Sequence, residues 1–85
     1  GVRVVVMPNP AREYFVVALQ LLQAEDLQLS LFDQSGKLLQ EKSLSLAAGN
    51  QSFRFEVGTY PAGTYTLTLK TDKGQISSQV VLLKG

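Results

Sequence analysis

The sequence predicts an all-β sandwich of about seven antiparallel strands, and three observations carry that prediction. Short runs rich in Val, Leu, Ile, Phe, Tyr and Thr recur along the chain, as in sandwiches and barrels. Clusters of Pro, Gly, Asn, Asp and Ser separate them, for reasons that differ by residue but all end a strand. Several runs also alternate apolar with polar side chains, the period that gives a strand one inward and one outward face.

Taken in order, Val2 to Met7 is β-branched and ends at Pro8-Asn9-Pro10, where two prolines remove two backbone donors and stop any ladder. Tyr14 to Leu22 is the second strand, and Gln23 to Asp26 is a polar connection. Good helix formers between Ala11 and Glu25 suggest a helix there, but the Tyr-Phe-Val-Val cluster and the β pattern on either side favour strand. Leu27, Leu29 and Leu31 alternate with Gln28 and Ser30 until Asp33-Gln34-Ser35-Gly36 turns the chain, and Leu38 to Leu46 returns. After Ala47-Ala48-Gly49-Asn50, Phe53, Phe55 and Val57 alternate with Arg54 and Glu56. A loop from Gly58 to Gly63 leads to Tyr65, Leu67 and Leu69, which alternate with Thr and Lys. Asp72-Lys73-Gly74 makes a tight turn with Gly placed for positive φ, and Gln75 to Leu83 is the last strand.

Composition narrows the function classes. At 85 residues, with 45% apolar and 18% charged residues, the chain supports one modest core and is not a disordered segment. It reads as a single domain, residues 1 to 85, cut from a longer protein, because the first residues carry no basic and apolar leader pattern. A net charge of +1, spread along the chain, offers no nucleic-acid footprint. No apolar run reaches the length of about 18 residues that spans a bilayer as a helix. With no Cys, there is no disulfide, thiolate site or cysteine nucleophile. With no His, the commonest general base and metal ligand is absent too.

The remaining chemistry is sparse. Asp33 and Asp72 stand in hairpin turns, where an Asp bonds nearby backbone N–H groups. Glu25-Asp26 is an adjacent acidic pair without further oxygen donors at a calcium-loop spacing, so it reads as a solvated loop. Ser35-Gly36-Lys37 lacks the upstream Gly and the following helix of a phosphate loop. Tyr65 is in phase with the core leucines, whereas Tyr60 is free to be surface or plug. No catalytic residue, cofactor or metal ligand is assigned, and the chain reads as a binding, structural or targeting module.

Four segments add a family. Met7-Pro8-Asn9-Pro10-Ala11, Leu31-Phe32-Asp33-Gln34-Ser35-Gly36-Lys37, Tyr60-Pro61-Ala62-Gly63-Thr64-Tyr65 and the final Gln79 to Lys84 occur in this order over nearly the whole chain. Together they resemble the type A C-terminal sorting domain of the type IX secretion system of Bacteroidetes. Met7 stands where that family more often has an aromatic residue, and Gly85 follows the terminal Lys84. The resemblance implies an immunoglobulin-like sandwich joined to the C-terminal end of a cargo domain. It also implies export across the periplasm to the outer-membrane surface or beyond. The implied partners are the outer-membrane translocon with its receptor, and a sortase-like cysteine peptidase. Pro8, Asn9, Pro10, Asp33, Gly36, Lys37, Gly63 and Tyr65 are then structural: corners, turns and core.

The last strand is the candidate for recognition, through Gln79, Val80, Val81, Leu82, Leu83 and Lys84. Both faces of this stretch are apolar, so two arrangements stand: a sheet edge whose free backbone groups pair with a partner strand, or burial on both faces. The rival functions are an extracellular module that binds carbohydrate or protein, and a secretion-machinery component that keeps its sorting domain uncleaved.

Overall fold

A computed structural model describes residues 2–84, so Gly85 lies outside the described residues. Seven strands run in the order β1 (Val2–Met7), β2 (Tyr14–Leu21), β3 (Glu25–Phe32), β4 (Leu38–Leu46), β5 (Gly49–Glu56), β6 (Gly63–Thr71) and β7 (Gly74–Leu82). All ladders between them are antiparallel. They form a three-stranded sheet, β1-β2-β5, facing a four-stranded sheet, β4-β3-β6-β7. This is an all-β sandwich, as the strand pattern predicted, and an immunoglobulin-like one, as the family resemblance implied. The stretch from Ala11 to Glu25 is not helical: Tyr14 to Leu21 is strand, its Phe15, Val17, Leu19 and Leu21 all buried on one face.

The core is where the alternating runs meet. Phe15, Val17, Leu29, Leu31, Phe55 and Val80 are all fully buried. Phe15 lies directly opposite Phe55 in the β2–β5 ladder, and their rings stack with centroids 5.1 Å apart and planes 7° apart. Stacking therefore joins two strands already hydrogen-bonded, adding about 0.5–1.5 kcal/mol to the area they bury. Lys42 reaches inward from β4 and sets its ammonium 5.3 Å from the Phe55 ring centre, so its stem closes the side of the core.

Element boundaries differ from expectation at five strands: β6 begins at Gly63, inside the expected loop, and β7 runs Gly74–Leu82, one residue earlier than Gln75 to Leu83, while β3, β2 and β5 differ as follows. Strand β3 begins at Glu25, not after Asp26, because Glu25 pairs with Leu46 and Asp26 with Ser45 in the β3–β4 ladder. Glu25 is thus a buried strand residue, not part of a solvated loop. Its carboxylate accepts from Gln23 Nε2 at 3.4 Å and lies 3.8 Å from Lys73 Nζ, which offsets the cost of burial. Leu22 falls outside β2 and is 78% exposed. Strand β5 starts at Gly49, since Gly49 to Ser52 already pair with β2; the turn from β4 shrinks to Ala47 and Ala48 and crosses from one sheet to the other.

The turns follow their chemistry. Gly36 has φ +86°, which only Gly adopts without strain, and its N–H donates to Asp33 O at 3.0 Å. Gly74 also has positive φ, as its place in the last hairpin predicted, but the donor beside it is capped differently. Lys73 N donates to Thr71 Oγ1 at 3.1 Å, so Thr71, not Asp72, holds that turn. Truncation of Phe55 to Ala is expected to cost about 3–5 kcal/mol by leaving a cavity against Phe15, measured by denaturant unfolding.

Candidate functional site

The candidate surface is built at the β7 edge, where the Pro8–Asn9–Pro10 corner meets the final strand. Order β4-β3-β6-β7 leaves β7 at the end of its sheet. Its register with β6 runs from Thr71↔Gly74 to Gly63↔Leu82, so Val80 and Leu82 face inward and Val81 faces outward. Val80 and Leu82 are buried at 0% and 2% exposure, while Val81 and Leu83 are 37% and 40% exposed. Gln79 and Lys84 are exposed as well.

The outer backbone groups of that edge are already occupied. Ala11 forms an isolated parallel bridge with Leu82: Ala11 N donates to Val81 O at 2.8 Å, and Leu83 N donates to Ala11 O at 2.8 Å. One step earlier, Asn9 replaces a peptide group with its side chain. Its Nδ2 donates to Gln79 O and its Oδ1 accepts from Val81 N, both at 3.0 Å. Two prolines flank this Asn and neither has an N–H, so the side-chain amide supplies the donor that they lack and adds an acceptor for Val81 N. Arg12 completes the cover, donating from Nη1 to Lys84 O at 2.7 Å.

Edge placement was one of the two arrangements left open for β7, and it holds; free backbone groups along Gln79 to Leu83 do not. Bridging residues on the corner segment take them, and a partner strand cannot add there without displacing it. What remains readable over Gln79 to Lys84 is side-chain surface: Gln79, Val81, Leu83 and Lys84. Val80 and Leu82 serve as core anchors that hold this surface in place. Sequence reasoning placed Asn9 in a corner but missed its contact with the last strand, and it missed Ala11 and Arg12 altogether. An Asn between two prolines was the available signal.

The other motif residues cluster at one end of the sandwich. Asp33 Oδ1 accepts from Ser35 N, Ser35 Oγ and Lys37 N at 2.9, 2.6 and 3.0 Å, so Asp33 organises the β3–β4 turn as expected. The Ser35 hydroxyl first, then the Lys37 N–H, hold its carboxyl below the usual carboxylate range. Tyr65 is buried and donates its hydroxyl to Pro61 O at 2.6 Å, the tyrosine corner of immunoglobulin-like sandwiches. Burial pushes its phenol up. Tyr60 is a half-buried plug: its ring stacks on Tyr65 at 6.0 Å, and its hydroxyl accepts from Gln40 Nε2 at 2.9 Å. Tyr14, the remaining tyrosine, carries the Arg54 guanidinium 3.9 Å above its ring centre. The three tyrosines thus form no shared open face on which a sugar would stack.

Two measurements check this description. Asn9→Ala removes both amide bonds to β7; it is expected to cost about 1–2 kcal/mol and to speed hydrogen exchange at Val81 N–H more than at Leu82 N–H. Asp33 has a folded-state pKa below its unfolded value, so its contribution is present above the unfolded value and lost as pH falls through the folded one. The stability gap between the native chain and Asp33→Ala should therefore be full at neutral pH and close in acid, as read from unfolding midpoints across pH.

Comparison with known proteins places these features. A solved structure of dimeric latent PorU from Porphyromonas gingivalis is similar over 99% of this chain, with a TM-score of 0.71 and 14% identity; the chain spans 9% of that protein. No curated protein matches the chain. The family model described as the secretion system C-terminal sorting domain matches residues 5–83, which takes in the Asn9 corner, the Asp33 turn, the Tyr65 corner and all of β7. With nearly its whole length matched, the chain belongs to the C-terminal sorting domains of the type IX secretion system.

Proposed function

We propose that this chain is the folded address at the C-terminal end of a longer exported protein, read by the type IX outer-membrane translocon and its associated receptor. The match to the sorting-domain family over residues 5–83 carries the reading. In this scheme a cargo domain precedes the sandwich and crosses the periplasm with it. The translocon passes both through the outer membrane. A sortase-like cysteine peptidase then removes the sandwich and leaves the cargo at the cell surface or released.

The contact surface we assign is the outward side-chain row of Gln79, Val81, Leu83 and Lys84. A folded signal has to present fixed features, and this row is held from below by buried Val80 and Leu82 and from the side by Asn9 and Ala11. Two exposed apolar side chains next to a cation suit a receptor groove with an apolar floor and an acidic rim. Lys84 also lies beside Arg12, so positive charge concentrates at this end of the row.

Fusion of the chain to a periplasmic reporter in a type IX-competent strain is expected to bring the reporter to the surface, and a translocon mutant should keep it in the periplasm. Retention in both strains would sink the reading. In the same assay, Val81→Ser with Leu83→Ser should lower display while the purified fusion keeps its unfolding midpoint within a few degrees. Undiminished display by that variant would move the contact surface elsewhere.

A further inference from the structure

Four strands end a sheet, and three of them are protected. The β7 edge is covered by Asn9 and Ala11 along its second half. Strand β4 turns Lys42 inward over Phe55, and its Gln40 donates to Glu56 O at 2.9 Å. Strand β5 carries Arg54 and Glu56 on its outer face, paired at 2.6 Å. Inward charges, outer charges and covering segments are the devices that keep edges from pairing with other chains.

Among the described residues, strand β1 has neither an inward charge nor a covering segment, and its one outer charge, Arg3, is unpaired. Val2–Met7 is six residues, Val-Arg-Val-Val-Val-Met, with neither Pro nor a bulge, and it pairs with β2 on one side alone. Val5 and Met7 face outward at 46% and 59% exposure and lie opposite Ala18 and Val16, both half-buried. The β1 edge is therefore flanked by an apolar outer strip. On the inner side, a cleft of about 290 Å³ opens between Val2 and Ile76, with Leu69 in its wall; Ile76 is 44% exposed. It opens at the first half of β7, which the corner segment does not reach. Arg3, the one charged residue of β1, is exposed and has no hydrogen-bonding or ion-pair partner among the described residues.

We propose that the β1 edge is a strand-addition site for an extended segment of a partner protein, with alternating apolar residues and one acidic residue opposite Arg3. The added strand bonds to the free edge of β1 and lays its outer side chains beside Val5 and Met7. On its inner face, one apolar side chain enters the cleft between Val2 and Ile76. Charge selects the partner's chemistry: an acidic residue neutralises Arg3, whereas a second copy of this chain brings another Arg3 and no acid. Size points the same way. A ladder of about 20 Å buries on the order of 400 Å² per partner, half of the roughly 800 Å² typical of a stable pair of folded proteins. That is ample for a peptide strand. The site stands apart from the Gln79–Lys84 row and does not depend on the export reading.

The test uses an end-blocked peptide, Val-Thr-Val-Thr-Glu-Val, titrated into the chain and followed by amide NMR shifts. Shifts are expected at residues 2 to 7 and at Ile76, with none along β5. Two isomers of the peptide, N-methylated at alternate residues, keep the protein unchanged. The one methylated on the edge facing β1 should lose binding, and the other should keep it. Arg3→Glu should weaken the peptide severalfold and reverse its preference toward a peptide with Lys in place of Glu. Ile76→Asp should weaken both. Absence of shifts at millimolar peptide, or equal behaviour of the two methylated isomers, would overturn the proposal. So would a β1-dependent dimer in sedimentation, which would assign the edge to a second copy.

Discussion

The parallel bridge of Ala11 with Leu82 is the constraint on which the rest of this fold depends. Face-to-face packing of two sheets is non-directional: apolar side chains lower the free energy of contact but do not select a unique alignment. Two backbone hydrogen bonds of 2.8 Å, joined by two more from the Asn9 amide, tie the segment leaving β1 to the last strand of the other sheet. These bonds set β1 over β7 and place Val80 and Leu82 against Ala11 in the core. They also close the second half of the β7 edge, whose apolar residues would otherwise invite another strand.

That closure changes what the last strand offers a partner. A covered edge presents side chains in fixed positions and withholds its backbone. A folded export signal benefits from both, since open backbone edges pair indiscriminately whereas a side-chain row can be selective. The four edges divide accordingly. Lys42, Gln40, Arg54 and Glu56 guard one flank of the sandwich, Asn9 and Ala11 guard half of the other, and β1 remains open.

The motifs that carry the family resemblance have a common physical character. Asn9 supplies a donor that its flanking prolines lack, Asp33 collects three donors in a turn, Gly36 adopts φ +86°, and Tyr65 ties its strand to Pro61. Each holds a corner. Residues at corners tolerate few alternatives because their backbone geometry or bonding demands a particular side chain. The outward row of Gln79, Val81, Leu83 and Lys84 faces no such demand from the fold, so its apolar character is available to be set by a partner.

Strand content and turn positions were legible in the sequence because both are local. Period-two alternation from Thr64 to Lys70 reports the inward phase of Tyr65, Leu67 and Leu69 directly, and all three are buried. The Asp33 turn depends on groups within four residues of it. Glu25 was misread because its burial depends on Leu46 across the hairpin and on Lys73 from the far end of the chain. The same limit hid the cover on β7. Asn9 and Gln79 are 70 positions apart, and no local pattern states that a side-chain amide will bond a strand that far along. By itself, then, the sequence determined the fold class, the strand phases and the family. Tertiary structure decided which edges are closed, because that follows from long-range pairing between segments whose own sequences specify only that they are extended.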